Sequence, residues 1–184
     1  MTPDYPTCAF LFCPGCGGQN GTSPSLKHFV CPDCTFTFYS NAAAAVAAFI
    51  VNERGEFLWV ERAREPQKGK WNVPGGFIDP MESAEDALIR ETHEEVGLEL
   101  SEFHLLASFP NLYTYRNITY HTIDFFFLCV AKSGEIYADA SEIARTKWLL
   151  PERMSPDQIA FESTKKALER YLFHKQEIGF PESK

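Results

Sequence analysis

No stretch of the 184-residue chain strings together the roughly 18 apolar residues that a membrane-crossing helix requires. The first residues, Met1-Thr2-Pro3-Asp4-Tyr5-Pro6, have neither a basic start nor a long apolar stretch, and they are not rich in Arg and Ser. A secretory or transit leader is therefore not expected, and the expected location is cytoplasmic. An excess of positive charge is missing too: 17 Lys and Arg stand against 25 Asp and Glu, for a net charge of −8. Such a chain has no long-range attraction for a nucleic-acid backbone or an anionic membrane, which makes both poor candidate partners. Low-complexity tracts are absent, and nothing repeats except a pair of cysteine knuckles.

What is present fits a globular protein with a real core: 45% hydrophobic and 23% charged residues. The length allows one domain of ordinary size plus a module of about forty residues. The expected division is 1–40 and 41–184. Aromatic rings are plentiful, with 16 Phe, 7 Tyr and 3 Trp. Most belong to the core, but rings for stacking on a base are available.

Residues 1–40 carry Cys13-Pro14-Gly15-Cys16 and Cys31-Pro32-Asp33-Cys34. Two C-x2-C pairs are the ligand set of a tetrahedral structural zinc, and four thiolates leave that metal no open position. A segment this short buries too little to fold alone, so the metal would supply the folding energy. Redox-active pairs would need a thioredoxin-like context that is lacking. His28 could serve as a ligand, but four cysteines leave it no vacancy. Cys8 and Cys129 read as a tail thiol and a core residue.

Further on, Ala42–Val51 and Glu56–Glu61 read as two strands joined through Asn52-Glu53-Arg54-Gly55. A loop follows, up to a core Trp71. Ser83–Val96 reads as a helix, with Ser83 and Asp86 as a start signal and Gly97 as its stop. Phe103–Phe109, Ile118–Ala131 and Ile143–Leu149 read as strands, the second apolar on both faces and so central. Phe161–Phe173 reads as a closing helix. This order implies an α/β or α+β sandwich with a mixed sheet covered by helices.

The helix carries the strongest chemical signal. On a wheel of about 100° per residue, Glu91, Glu94 and Glu95 fall within about 100° of one another. Like charges at i, i+4 repel, and anions near a helix C-terminus oppose its dipole. A divalent cation reverses both penalties, since Mg²⁺ or Mn²⁺ prefers carboxylate oxygens and bridges to phosphate. A solvated acidic face is the plain alternative. Ala84 and Ala87 share the face, and their small size is expected to leave room for an approaching group. Arg90 can pair with Glu94.

The segment Gly75-Gly76-Phe77 through Gly97-Leu98 arranges Gly76, Glu82, Arg90, Glu91, Glu94, Glu95 and Gly97 as G-x5-E-x7-R-E-x-x-E-E-x-G. This resembles the Nudix box of the Nudix hydrolases at every fixed position. Thr92 departs at a position usually aliphatic, and it is expected to face the core. The resemblance implies an α/β/α sandwich and hydrolysis of a phosphoanhydride bond. It implies Mg²⁺ (or Mn²⁺) held by Glu91, Glu94, Glu95 and the Gly75 carbonyl. Arg90 would orient Glu91, and Glu82 would hold water or a further metal. Catalytic candidates are Glu91, Glu94, Arg90 and Glu142, the last a possible base from a later loop. Substrate contacts are expected from Arg62, Phe77, Tyr113 and Tyr115; Arg64 and Lys70 could also meet phosphate.

A zinc ribbon ahead of such a box resembles the NADH pyrophosphatase branch and related Nudix proteins with zinc-ribbon leaders. Where that branch has S-Q-P-W-P-F-P, this chain has Ser108-Phe109-Pro110-Asn111-Leu112-Tyr113-Thr114-Tyr115. Three readings stay open. One is hydrolysis of a dinucleotide-like pyrophosphate such as ADP-ribose, NADH or FAD, yielding a nucleoside monophosphate. Another is nucleoside triphosphate clean-up or RNA-cap removal. The last is a non-enzymatic nucleotide sensor, which the intact carboxylates argue against. Dimerisation is common in the family, and the ribbon offers a contact surface.

Overall fold

The computed structural model describes residues 10–19, 25, 27–132 and 134–175; Cys8 lies outside them. The chain divides into two compact units, residues 1–43 with 112–122, and residues 44–111 with 123–184.

In the first unit, β1 (His28–Val30) pairs antiparallel with β2 (Thr37–Tyr39), with Phe29 opposite Phe38. Two turns of the same design precede and interrupt this hairpin. The Cys13 N–H donates to the Gly18 carbonyl at 2.9 Å and the Gly17 N–H to the Cys13 carbonyl. In the second knuckle, the Cys31 N–H donates to the Phe36 carbonyl and the Thr35 N–H to the Cys31 carbonyl. Gly17 and Thr35 are the left-handed residues of the two turns, with φ of 74° and 62°. Cys13, Cys31 and Phe29 are buried, with Phe10 and Phe36 packed against them. Three-residue strands show no periodicity, so the sequence pattern did not announce them.

The second unit is built on a six-stranded sheet, of whose strands Ala43 and residues 112–122 are grouped with the first unit. Its strands are β3 (Ala43–Val51), β4 (Phe57–Arg62), β5 (Trp71–Asn72), β6 (Leu100–Tyr115), β7 (Ile118–Ala131) and β8 (Ile143–Leu149). The order is β5-β4-β3-β7-β6, with β8 also paired to β4. The central strands are apolar on both faces, and alternate residues go to opposite sides. Phe49, Phe57, Trp59, Phe126 and Leu128 pack with Ala167, Leu168 and Tyr171 of helix α2 (Glu162–His174). Ala48, Ile50, Leu58, Val60, Phe127 and Cys129 pack with Ala87, Leu88 and Val96 of helix α1 (Ala84–Val96). The result is a mixed sheet between two helices, an α/β/α sandwich. Each fully buried large apolar side chain in these layers contributes about 1.5–3 kcal/mol.

The expected elements are present, with three differences. Trp71, expected at the end of a loop, forms an edge strand with Asn72 opposite Glu61 and Val60. β6 runs well beyond the expected Phe103–Phe109 and takes in Tyr113 and Tyr115. The β4–β8 ladder is regular from Phe57↔Leu149 to Glu61↔Arg145 and then shifts to Arg62↔Ile143, which leaves Ala144 as an extra residue in a bulge. No helix among the described residues is long and apolar enough to cross a membrane.

Candidate active site

Helix α1 positions the acidic residues, and its ends are well defined. Ser83 Oγ accepts the Asp86 N–H at 3.1 Å, and Gly97 closes the helix at φ 70° with its N–H on the His93 carbonyl. The face shared by Glu91 and Glu95 is the inward one. Ala84 and Ala87 on that face pack into the core, so they do not leave room for an approaching group as expected. Small residues there let the helix lie close to the sheet, which half-buries the two glutamates that follow.

The three carboxylates have different surroundings. Glu95 Oε2 accepts the Gly75 N–H at 2.9 Å. Glu91 Oε1 accepts from Arg90 Nη1 at 2.7 Å, and Glu94 Oε2 from the same nitrogen at 3.1 Å. The Glu94 side chain is 59% exposed. Arg90 thus pairs with both Glu91 and Glu94. Glu82 is the two-point partner of Arg90, with Nε and Nη2 each 2.8 Å from its oxygens. Arg90 and then the Asp79 N–H hold the Glu82 carboxyl down to about 2. Arg90 Nη2 also donates to the carbonyl of Phe77, whose ring is 40% exposed. One guanidinium therefore ties the box loop to the helix.

Two glycines have steric reasons to be there. A Cβ on Gly75, at φ 148°, would lie 2.1 Å from the Val46 carbonyl oxygen of β3. A Cβ on Gly76 would lie 2.5 Å from the Glu91 carboxyl. The carbonyls of Pro74 and Gly76 accept from Ala48 and Val46 of β3. The Gly75 carbonyl between them accepts no hydrogen bond among the described residues, which leaves it available as a ligand.

A cleft beside these residues is lined by Glu95, Gly75, Asn72, Arg62, Arg64 and Glu142, with Val60, Val73 and Ile143. Glu142 pairs with Arg64 at 2.5 Å. Arg62 is held by the Pro66 carbonyl at 2.6 Å and stacks 5.1 Å over the Phe161 ring. Lys70 is turned away onto the Asp157 carbonyl. Tyr113 and Tyr115 belong to the other unit, with Arg116 stacked 5.2 Å over Tyr115. Asn72 is the lining residue that sequence reasoning missed; a single Asn in a presumed loop gave no signal.

The electrostatics test whether a cation fits. Burial pushes the Glu95 carboxyl up to about 8, with Glu91 and Glu142 adding to the rise against the Gly75 N–H and Arg62. Burial also raises Glu91, against the pull of Arg90. Anions are costly here unless a positive charge joins them, and carboxylates with a free carbonyl suit a hard divalent cation.

In the other unit, the ligand atoms of Cys13, Cys16, Cys31 and Cys34 all lie within 4.8 Å of one another. Among the described residues they are the one potential metal-ligand group that close. Cys13 and Cys34 are 3.6 Å apart at sulfur, and Cys16 and Cys31 3.8 Å. Sulfurs about 2.3 Å from a tetrahedral zinc would be roughly 3.8 Å apart. Against the Phe36 N–H, burial and the three neighbouring cysteines push Cys34 up to about 12, while, against burial, hydrogen bonds from the knuckle bring Cys13 down to about 7. His28 stays outside, beside Ser25. Cys129 is buried in the core.

Comparison with known proteins agrees with this geometry. The NUDIX domain family matches residues 41–171. The chain is 26% identical over 150 residues to the NAD-capped RNA hydrolase NudC of Vibrio parahaemolyticus, covering 82% of this chain and 55% of that one. It is 32% identical over 105 residues to a putative 8-oxo-dGTP diphosphatase of Bacillus subtilis, covering 57% and 64%. The chain spans about half the length of the NudC relatives it matches. A crystal structure of a NUDIX hydrolase from Nitrosomonas europaea superposes with a TM-score of 0.69 at 24% identity, covering 92% of this chain and 94% of that one.

Proposed function

The chain belongs to the Nudix hydrolases, and on that footing we propose that it is a Mg²⁺- or Mn²⁺-dependent pyrophosphohydrolase. Its substrate is a nucleoside diphosphate linked to another group, of the ADP-ribose, NADH or FAD type. The products are a nucleoside monophosphate and a phosphorylated partner. The observation that carries this reading is Glu95 at a cleft that also presents Arg62 and Arg64, with the half-buried Glu91 one helical turn before it on the same face. That wall combines ligands for a divalent cation with cations for phosphate.

Glu91, Glu95 and the Gly75 carbonyl hold the metal in this reading, and Glu94 completes the set. The chemistry that a divalent ion would supply at these residues is neutralisation of the phosphoryl oxygens and a lowered pKa for water. Arg90 keeps Glu91 oriented through its bond at 2.7 Å. Arg62 and Arg64 bind the two phosphoryl groups. Glu142, released from Arg64 when phosphate takes that guanidinium, accepts the proton of the attacking water. Zinc in the Cys13, Cys16, Cys31 and Cys34 site is structural, since four sulfurs close it.

A second substrate reading is favoured by the relatives named NAD-capped RNA hydrolase. The net charge of −8 weighs against nucleic acid. A cap, however, would be cleaved at its own pyrophosphate, and the cleft need recognise no more than that. Product analysis by mass spectrometry across ADP-ribose, NADH, NAD, FAD, nucleoside triphosphates and NAD-capped RNA tests both, with Glu95→Gln as control. One preferred dinucleotide-type substrate yielding a monophosphate supports the reading. Turnover of triphosphates alone overturns it.

A further inference from the structure

Asn72 stands on the edge strand β5, directly before Val73-Pro74-Gly75-Gly76, and lines the cleft with Arg62, Arg64 and Glu95. Its amide is held from behind. The hydroxyl of Thr164, a residue only 2% exposed in the first turns of α2, donates to Asn72 Oδ1 at 2.8 Å. A carboxamide has an acceptor end and a donor end. With the acceptor end engaged by α2, Nδ2 is the remaining end, and it donates to no described residue. The helix that does the holding is itself anchored: the buried Ser163 Oγ donates to Asp124 Oδ2 of β7 at 2.6 Å.

The cleft wall gives the chemistry of the group that Nδ2 would meet. Its lining has two guanidiniums, one amide, the carboxylates of Glu95 and Glu142, three aliphatic side chains and Gly75, and no aromatic ring. The guanidiniums and the amide match oxyanions, the carboxylates match a cation that accompanies them, and the wall has no surface for a base plane to stack on. We propose that Asn72 contacts the substrate, donating Nδ2–H to a non-bridging phosphoryl oxygen of the pyrophosphate, and that Thr164 is the positioning residue that fixes this orientation. The proposal rests on the reading of the cleft as a phosphate site. It adds a neutral donor to the two arginines, with no further charge beside Glu95.

The test is calorimetric titration of the full chain, with Mg²⁺ present, using inorganic pyrophosphate and ADP as probes. Asn72→Asp keeps the oxygen that Thr164 reaches and replaces the donor by an anionic oxygen; both probes should bind about ten- to hundredfold more weakly. Asn72→Ala adds no charge and should cost about tenfold in binding, with an unfolding midpoint that falls because the buried Thr164 hydroxyl loses its acceptor. Thr164→Val should weaken both probes about three- to tenfold, and Thr164→Ser should restore them, which a loss of packing alone would not predict. Weakened ADP binding with unchanged pyrophosphate binding would move the contact to the nucleoside and overturn the phosphate assignment. Wild-type affinity in both Asn72 variants would overturn the role of Asn72. Failure of Thr164→Ser to restore binding would overturn that of Thr164. A wild-type protein that binds neither probe would overturn the phosphate reading of the cleft, and this inference with it.

Discussion

Replacing Glu95 by Gln separates the cost of the site from its use. Glu95 lies at the cleft with Oε2 on the Gly75 N–H, and burial pushes its carboxyl from 4.5 up to about 8. An acid whose folded pKa is raised stabilises the fold fully below its unfolded value, and that contribution is lost as pH rises through the folded value. The loss therefore accumulates between the unfolded 4.5 and about 8 and is complete above that. At roughly 1.4 kcal/mol per pH unit, the ceiling is about 5 kcal/mol. The cleft keeps the side chain in touch with water, so about 2–3 kcal/mol is the expected size. Gln keeps an oxygen for the Gly75 N–H and never ionises. Urea unfolding in EDTA should find variant and wild type alike near pH 5, and the variant more stable near pH 9 by about that amount. Added Mg²⁺ should stabilise the wild type, leave the variant unchanged, and support turnover only in the wild type. A variant less stable than the wild type at high pH would refute the burial argument. Stabilisation of the variant by Mg²⁺ would refute the ligand assignment.

Further outcomes follow from other contacts. Arg90→Lys keeps the charge but loses the two-point bond to Glu82 and the reach to Glu91 and Phe77. It should lower kcat at least about tenfold while leaving circular dichroism unchanged. Thr92 is fully buried, and its Oγ1 has no hydrogen-bond partner among the described residues. Thr92→Val should raise stability by about 1 kcal/mol in denaturant titration, and a loss would show an unseen partner for the hydroxyl. Elemental analysis of the purified full chain should find about one zinc per chain, removed by Cys31→Ser combined with Cys34→Ser. Zinc retained in that double variant would rule out the four-sulfur site.

The hydrophobic periods of β3, β4, β7, α1 and α2 were legible because each is long enough to repeat its pattern. The acidic helix was legible because its charges contradict local stability. Chain pattern alone could not say which way that helix faces. Ala84 and Ala87 looked like open space and proved to be packing, because a wheel gives angles and not the position of the sheet. The partner of Glu82 was invisible because Arg90 reaches it across a loop. Asn72 was hidden for a related reason, since its meaning depends on Thr164, far away in sequence and close only in the fold.

The bulge in the β4–β8 ladder sets the aim of Glu142. One surplus residue sets two residues of β8 against one of β4, which bends the strand and increases its twist at that point. Ala144 is that surplus residue, two positions after the glutamate. Deleting Ala144 would make the ladder regular and leave every box residue in place. It would also remove the local bend of β8 beside the turn that carries Glu142, and so shift its carboxylate relative to Arg64. A residue with only a methyl side chain thus acts as a spacer whose bend, and not its chemistry, helps to set where the Glu142–Arg64 pair stands at the cleft.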